Sequence, residues 1–313
     1  MNQQSGEKLH KITIVGGGAG GLELAVRLGK KLGKKHKALI TLVDASRTHL
    51  WKPLLHQVAA GTLDSHADER EYFALARANH FNFRFGRMDG LNREKKEIYL
   101  ASAYDDDGSE LLPRQTVEYD TLVMALGSQT NDFGTPGVQE NSIMLDTPVA
   151  AERFHQRLIN FCLKAQAESR ARGEGRFTVT IIGGGATGVE LAAELREASS
   201  LHAQYGLRHI DAARDVRIRI LEGAPRLLAP LAENVSAAAT RLLKQRHVEV
   251  NTACRVVRID SNTVSDADGN VYPSDLCVWA AGIKAPPLLA QVGLPVTRSG
   301  QVTVDGRLRV EGV

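Results

Sequence analysis

The chain has 313 residues, 43% of them hydrophobic and 24% charged, with 39 basic against 36 acidic side chains and a formal net charge of +3. That composition describes a folded globular chain of about two domains, and so balanced a charge gives no electrostatic case for a nucleic-acid partner. Cys162, Cys254 and Cys277 lie far apart and form no CxxC pair, which excludes a zinc framework or a local redox disulfide, and no metal site is predicted.

The polar start "MNQQSGEKLHK" is followed by an apolar run broken almost at once by glycines, so no signal peptide is read. No apolar stretch approaches the roughly 18 residues that cross a bilayer. "KITIVGGG" predicts a buried strand entering a turn. "GLELAVRLGKKLG" carries apolar residues at helical spacing, and "KALITLVD" is a second strand ending on Asp44. Strand, glycine turn, helix and strand make a βαβ unit. The basic run at Gly29–Lys37 reads as a solvated helix end and turn. Further on, "DDDGS" sits between two alternating runs as the turn of a hairpin or meander. "TPVAAERFHQRLINFCLKAQAESRARGEG" is a helix followed by a polar loop.

A second βαβ unit then repeats the first. Residues 12–28 and 179–195 agree at eleven of seventeen positions, and the repeat runs on through "FTVTIIGGG", "GVELAAELREASSLHAQYG" and "DVRIRILE", ending on Glu222. "YDTLVMALG" and "SDLCVWAAG" match as well, each an Asp, an apolar strand and a small-x-Gly turn. The prediction is an α/β chain of two Rossmann-like dinucleotide-binding domains, three-layered, with a small β-meander in each. The expected division is 1–145 for the first domain, with 290–313 returning to it, and 146–289 for the second.

In each copy a G-x-G-x-x-G follows a strand and opens a helix, the context that gives the motif meaning. Gly16 and Gly183 allow the tight turn. Gly18 and Gly185 let a pyrophosphate approach the backbone, and Gly21 and Gly188 let helix pack on strand. The anion sits on free N–H groups at the positive helix end. Asp44 and Glu222, closing the second strands, are placed to accept hydrogen bonds from an adenosine ribose. Glu222 would meet a 2′-phosphate with like charge, so NADH is favoured over NADPH. Asp44 lies 23 residues past Gly21 but Glu222 lies 34 past Gly188, so a longer helix or an insertion is expected in the second copy. Two nicotinamides exchanging hydride achieve nothing; a flavin with a nicotinamide makes chemical sense.

With these residues in view, the chain from Lys11 onward resembles the type II NADH dehydrogenases (NADH:quinone oxidoreductases) of the pyridine nucleotide-disulfide oxidoreductase superfamily. "VGGGAGGLE", "HLWKPLLHQVAAG", "YDTLVMALGS", "IIGGGATGVELAAEL" and "VWAAGIKAP" carry the resemblance. It implies FAD at the first turn, Gly20 included, and NADH at the second. It places Lys52 and Pro53 beside the isoalloxazine, Met88 where backbone meets adenine, and the Ala125–Gly127 and Ala281–Gly282 turns at the two cofactors. It implies hydride transfer from NADH to the flavin and electron transfer to a membrane quinone without proton pumping. The parent protein would then be peripheral on the cytoplasmic side of the inner membrane, and a homodimer is compatible with the resemblance. Glu190, matched by Glu23, has two readings: an acid favoured by the dipole of a first helical turn, or a catalytic group near flavin and nicotinamide.

After "LRVEGV" the family continues with an A-x-G-D turn on the flavin, a quinone-site segment and amphipathic membrane-docking helices. The expectation is therefore a C-terminally truncated chain that binds FAD weakly and stays off membranes. Two alternatives stand beside the main reading. One is a flavoprotein like the sulfide:quinone oxidoreductases, which needs paired catalytic cysteines. The other is a redox-sensing or binding module with little turnover.

Overall fold

The computed structural model describes residues 9–172, 176–205 and 211–312. They form two compact units. Unit one holds 9–51, Glu69–Gln129 and 284–312; unit two holds Lys52–Asp68 and Thr130–Ile283. The borders at 129/130 and 283/284 differ from the expected 145/146 and 289/290. A larger difference is that 52–68 groups with unit two. Its short helix Leu55–Ala60 has Leu55, Val58, Ala59 and Ala60 buried, and it packs on the two long helices of that unit. The apolar content of "PLLHQVAA" therefore belongs to the second core, although it sits between two segments of the first.

In unit one, β1 (His10–Val15), α1 (Ala19–Leu28) and β2 (Ala38–Asp44) make the predicted βαβ unit. α1 continues into a wider turn, Gly29–Gly33, rather than ending at the basic run. α2 (Tyr72–Asn79) and β3 (Asn82–Phe85) follow. β4 (Met88–Asn92), β5 (Glu97–Leu100) and β6 (Gln115–Glu118) form an antiparallel meander, and β7 (Thr121–Met124) returns to the main sheet. That sheet is parallel, in the order β7-β1-β2-β3. Because side chains alternate along a strand, its two faces have separate cores. Ile14, Ile40 and Leu42 pack toward the helices with Ala25, Tyr72 and Phe83. Val15 and Val43 pack toward the meander with Met88, Ile98 and Leu100, joined by Leu288 and Val292 from the returning segment. Each fully buried Ile, Leu or Val contributes about 1.5–3 kcal/mol, so both faces must be covered; three layers result.

Unit two repeats the plan. β8 (Ile143–Met144), α3 (Pro148–Arg172), β9 (Phe177–Ile182), α4 (Ala186–Tyr205), β10 (Val216–Leu221), α5 (Glu233–Gln245) and β11 (Val248–Asn251) lead to the meander β12 (Val256–Ile259), β13 (Thr263–Asp266), β14 (Val271–Pro273) and then β15 (Leu276–Trp279). The sheet order is β8-β15-β9-β10-β11, all parallel. α4 runs on to Tyr205 where the helical run of the first copy ends at Gly33, and a short helix, Ala212–Asp215, precedes β10, so the wide spacing between Gly188 and Glu222 holds both a longer helix and added chain.

The matched aspartates ahead of β7 and β15 have a structural role in both copies. Asp120 Oδ2 accepts from Lys11 N at 2.8 Å and Asp275 Oδ2 from Thr178 N at 2.7 Å. Their own N–H groups donate back to Lys11 O and Thr178 O. Each aspartate thus locks the last strand of a unit to the start of its first.

Candidate functional site

Each glycine turn follows from its strand. Gly16 N donates to Val43 O at 2.8 Å and Gly183 N to Leu221 O at 2.9 Å, extending the ladder one step past β1 and β9 before the chain turns. Gly16 has φ +103 and Gly183 φ +111, values that strain any residue with a Cβ. A Cβ on Gly16 would lie 2.3 Å from Ala125 O, and one on Gly183 2.7 Å from the Ala280 carbonyl carbon. Ala125 and Ala280 are fixed there by donating to Val15 O and Ile182 O, each at 2.7 Å. Gly21 and Gly188 sit against the carbonyls of Gly16 and Gly183 so closely that a Cβ would fall 1.8 and 2.0 Å away.

Gly18 and Gly185 are different. A Cβ on either would meet nothing within 4 Å, and Gly20 is equally open. Nothing inside the protein demands glycine at Gly18 or Gly185; the demand comes from whatever approaches the turn. Leu22 N and Val189 N donate to Gly18 O and Gly185 O, so the helix begins at that residue and presents its first N–H groups outward, a ready anion site.

The acids at the strand ends are held alike. Asp44 accepts from Gly17 N at 2.5 Å and Ser46 N at 2.7 Å. Glu222 accepts from Gly184 N and, at 2.6 Å, from Ala224 N. Two backbone donors orient each carboxyl group and leave it spare lone pairs.

Each unit has a cleft at its turn. In unit one a 450 Å³ cleft brings together Gly16, Asp44 and Met88 with Arg87, Leu126 and Gln129. In unit two a 720 Å³ cleft joins Gly183, Gly185, Glu222, Ala281 and Gly282 with Phe133 and Arg255. Gly18, Gly20, Gly21, Ala125, Gly127 and Gly188 belong to the turns without lining those clefts. Lys52, Pro53 and Glu190 lie outside both. Lys52 is ion-paired with Asp146 at 2.8 Å, and Asp146 also accepts from Thr130 N. Pro53 is in an exposed turn, Lys52–Leu54. Glu190 is the fifth residue of α4, as Glu23 is of α1, and neither helix has an acid in its first turn. The dipole argument for these glutamates is thereby removed, since that effect fades within one turn.

Sequence reading missed three contributors. The Tyr72 hydroxyl donates to Gly17 O at 2.6 Å, bracing the first turn from behind, and its ring stacks on Phe83. Burial, and then the Asp44 carboxylate, push its titration well above the ordinary tyrosine value. In the second turn the same space is filled by Leu227, which is fully buried. The Trp279 indole donates to Asn131 O at 2.8 Å and Ala281 O at 2.9 Å, fixing the turn that leads to Gly282. Tyr72 follows the charged run "DERE"; nothing local marks its reach to Gly17.

All three cysteines are buried and unpaired in disulfides. Burial pushes the Cys162 thiol up to about 11 and the Cys277 thiol up to about 12, so neither is a thiolate nucleophile at neutral pH. Among the described residues no group of His, Cys, Asp and Glu is gathered to hold a metal ion.

With this geometry in hand, comparison with known proteins is direct. The family model for pyridine nucleotide-disulphide oxidoreductases matches residues 10–313. A type II NADH:quinone oxidoreductase of Haemophilus influenzae is 40% identical over 96% of this chain and 70% of its own length. The chain belongs to this family. A mycobacterial type II NADH:quinone oxidoreductase, from Mycobacterium tuberculosis, is 29% identical over 97% of this chain, which spans 64% of that relative. The solved structure of NDH2 from Plasmodium falciparum in complex with NADH superposes with a TM-score of 0.83, at 22% identity, over 98% of this chain and 62% of the other. That likeness establishes the shared doubly repeated fold. Among the described residues the three cysteines are buried and unpaired, and what the chain visibly shares with this family is its two glycine-turn units.

Proposed function

We propose that this chain is the FAD- and NADH-binding part of a type II NADH:quinone oxidoreductase, taking a hydride from NADH and delivering electrons to a membrane quinone. The observation that carries the reading is the pair Gly18 and Gly185: both lack a side chain where internal packing would accept one, beside acids already oriented toward a cleft. Two dinucleotides fit these turns. In unit one the Gly16–Gly21 turn would take the FAD pyrophosphate and Asp44 the ribose hydroxyls, with Met88 at the adenine. In unit two the Gly183–Gly188 turn and Glu222 would take NADH in the same way. When bound, flavin supplies the step from two-electron hydride chemistry to a quinone acceptor.

The protein's own part is binding and orientation. Backbone N–H groups at the start of α1 and α4 offset phosphate charge without any lysine. Glu222 repels a 2′-phosphate. Lys52, Pro53 and Glu190 act at the reacting rings, with Lys52 held in place by Asp146. A lipid-soluble acceptor places the site of quinone reduction at a membrane surface. Among the described residues no helix is long and apolar enough to cross one. The buried, protonated thiols disfavour a sulfide-oxidising alternative.

The test is anaerobic spectroscopy of the FAD-loaded protein. NADH should bleach the flavin absorbance near 450 nm within seconds, and a short-chain quinone should restore it. A spectrum that NADH leaves unchanged would overturn the reading, and bleaching by sulfide would replace it.

A further inference from the structure

The two copies diverge at one place the cofactor motifs do not explain. In α1, Glu23 is ion-paired with Arg27 one turn on, Nε to Oε1 at 2.5 Å. The matched residues in α4 are Glu190 and Glu194, two carboxylates at the same spacing. Like charges at i,i+4 disfavour a helix, so copy two has exchanged a self-satisfied pair for a repulsive one. Its partners come from elsewhere. The segment 52–68, which no part of the second βαβ unit matches, brings both. His56 Nδ1 lies 3.7 Å from Glu190 Oε2, and Thr62 Oγ1 donates to Glu194 Oε2 at 3.2 Å.

The geometry of that segment is specific. The helix Leu55–Ala60 carries His56, and Gly61, in the left-handed conformation with φ +79, ends it. A Cβ on Gly61 would strike the His155 ring at 2.1 Å, so the stop is imposed by packing against α3. Thr62 is thereby set one turn along α4 from His56. The His56 side chain is 11% exposed while that of Glu190 is 54% exposed. The imidazole is the fixed member of the pair, and the carboxylate is the one that can meet a substrate.

We infer that His56 is the positioning residue for Glu190: its buried imidazole, 3.7 Å from the carboxylate, sets where the Glu190 side chain lies on α4, while Thr62 holds Glu194 aside. The inference deepens the function proposed above and rests on it, since it assigns what Glu190 needs in order to act at the reacting rings. The other titratable groups around His56 are Glu194 on α4, Glu152 with His66 beside it, His155 on α3, whose titration burial pushes down, and Lys52 with its partner Asp146.

The experiment is a double-mutant cycle on the full-length FAD-loaded protein, with His56→Leu, Glu190→Gln and their combination. The readouts are the rate of flavin bleaching by NADH from pH 5.5 to 8.5 and FAD content. Each single variant should bleach about 5- to 10-fold more slowly, and the double variant no slower than about twofold beyond either, because residues acting as one unit are not additive. An inflection of the native profile that the imidazole carries should be absent from His56→Leu. Should the leucine disturb packing, His56→Gln, which keeps a donor, should recover part of the rate but not the inflection. The same cycle read by urea unfolding of FAD-free protein should show coupling between the two positions. Additive rates with an unchanged pH profile overturn the inference, and an inflection surviving in His56→Leu assigns it to one of the neighbouring groups instead. A native protein that NADH does not bleach overturns the function rather than the pairing, which the urea cycle reports by itself.

Discussion

The two glycine turns of this protein share a backbone and differ in what stands behind it. Both turn out of the sheet on the same hydrogen bond, both press Gly21 or Gly188 on the carbonyl of the first glycine, and both clamp the middle glycine N–H on an acid. Behind Gly17 stands the Tyr72 hydroxyl; behind Gly184 stands the side chain of Leu227. Duplication preserved the backbone that the proposed phosphate sites require. What diverged are side chains supplied from outside the repeat: α2 in one unit, the loop after β10 in the other. A polar brace reaches one turn and an apolar wedge fills the other, yet the ligand-facing geometry is the same.

The comparison breaks most completely at the first glycine of each turn. Gly16→Ala and Gly183→Ala combine a positive φ, at about 1–3 kcal/mol of strain, with a Cβ at 2.3 or 2.7 Å from backbone that the sheet holds fixed. Gly16→Ala should abolish flavin copurification and leave NADH binding, read by quenching of nicotinamide fluorescence. Gly183→Ala should do the reverse. If either variant loses both ligands equally, the two units do not bind independently. Gly18→Ala and Gly185→Ala should fold as the native protein does, with weaker binding of only the matching cofactor.

How much of this was readable beforehand follows from where the signal lies along the chain. The turns, their strands and the acids Asp44 and Glu222 sit within local motifs whose spacing is set by backbone geometry, and the sequence displays them twice. The Asp-Gly run at Asp105–Gly108 marks a turn, but of a separate small hairpin, Ala103–Tyr104 with Glu110–Leu112, inserted between β5 and β6. The placement of 52–68 was not readable. Which core takes Leu55 and Val58 is decided by helices 90 to 130 positions later, and a hydrophobic pattern carries no address. Tyr72 and Trp279 escaped for the same reason: their hydrogen bonds reach Gly17 and Asn131, 55 and 148 positions away. Glu190 was placed at a helix start because glycine turns open helices, but the first turn is spent on Ala186–Val189.

A second, smaller break concerns the acids. Glu222→Gln removes the like charge facing a 2′-phosphate, so the preference for NADH over NADPH should narrow by at least about tenfold, or about 1.4 kcal/mol. Affinity for NADH should fall as well. A glutamine offers one acceptor oxygen where Gly184 N and Ala224 N now each have one, and an N–H left without a partner costs about 1–3 kcal/mol. Asp44→Asn, its counterpart, should weaken FAD retention with no effect on the NADH to NADPH ratio, measured as initial bleaching rates with each nucleotide. A ratio unchanged in Glu222→Gln would show that the ribose lies elsewhere in the cleft.

The smallest expected effect sharpens the comparison instead of breaking it. Tyr72→Phe deletes the hydroxyl that donates to Gly17 O but keeps the ring stacked on Phe83. His49 Nδ1 remains 3.0 Å from the same carbonyl, so the oxygen retains a neighbour able to donate. One neutral hydrogen bond contributes about 0.5–1.5 kcal/mol, which sets the loss of FAD affinity at about 2- to 12-fold. Its pH dependence has a definite sign. The phenol titrates above its ordinary value in the folded protein, through burial first and the Asp44 carboxylate second. The hydroxyl's contribution is thus complete below the unfolded value of about 10 and erodes as pH rises beyond it, where the unfolded chain gains by ionising and the folded one does not. Between pH 6 and 9 the gap in FAD affinity and in urea midpoint between native protein and Tyr72→Phe should therefore be flat, and above pH 10 the gap in urea midpoint should close. The second unit has no such group at its turn, since Leu227 cannot ionise. Its NADH affinity should show no matching difference between the two proteins at any pH, and a parallel shift there would mean that Tyr72 braces more than the turn it touches.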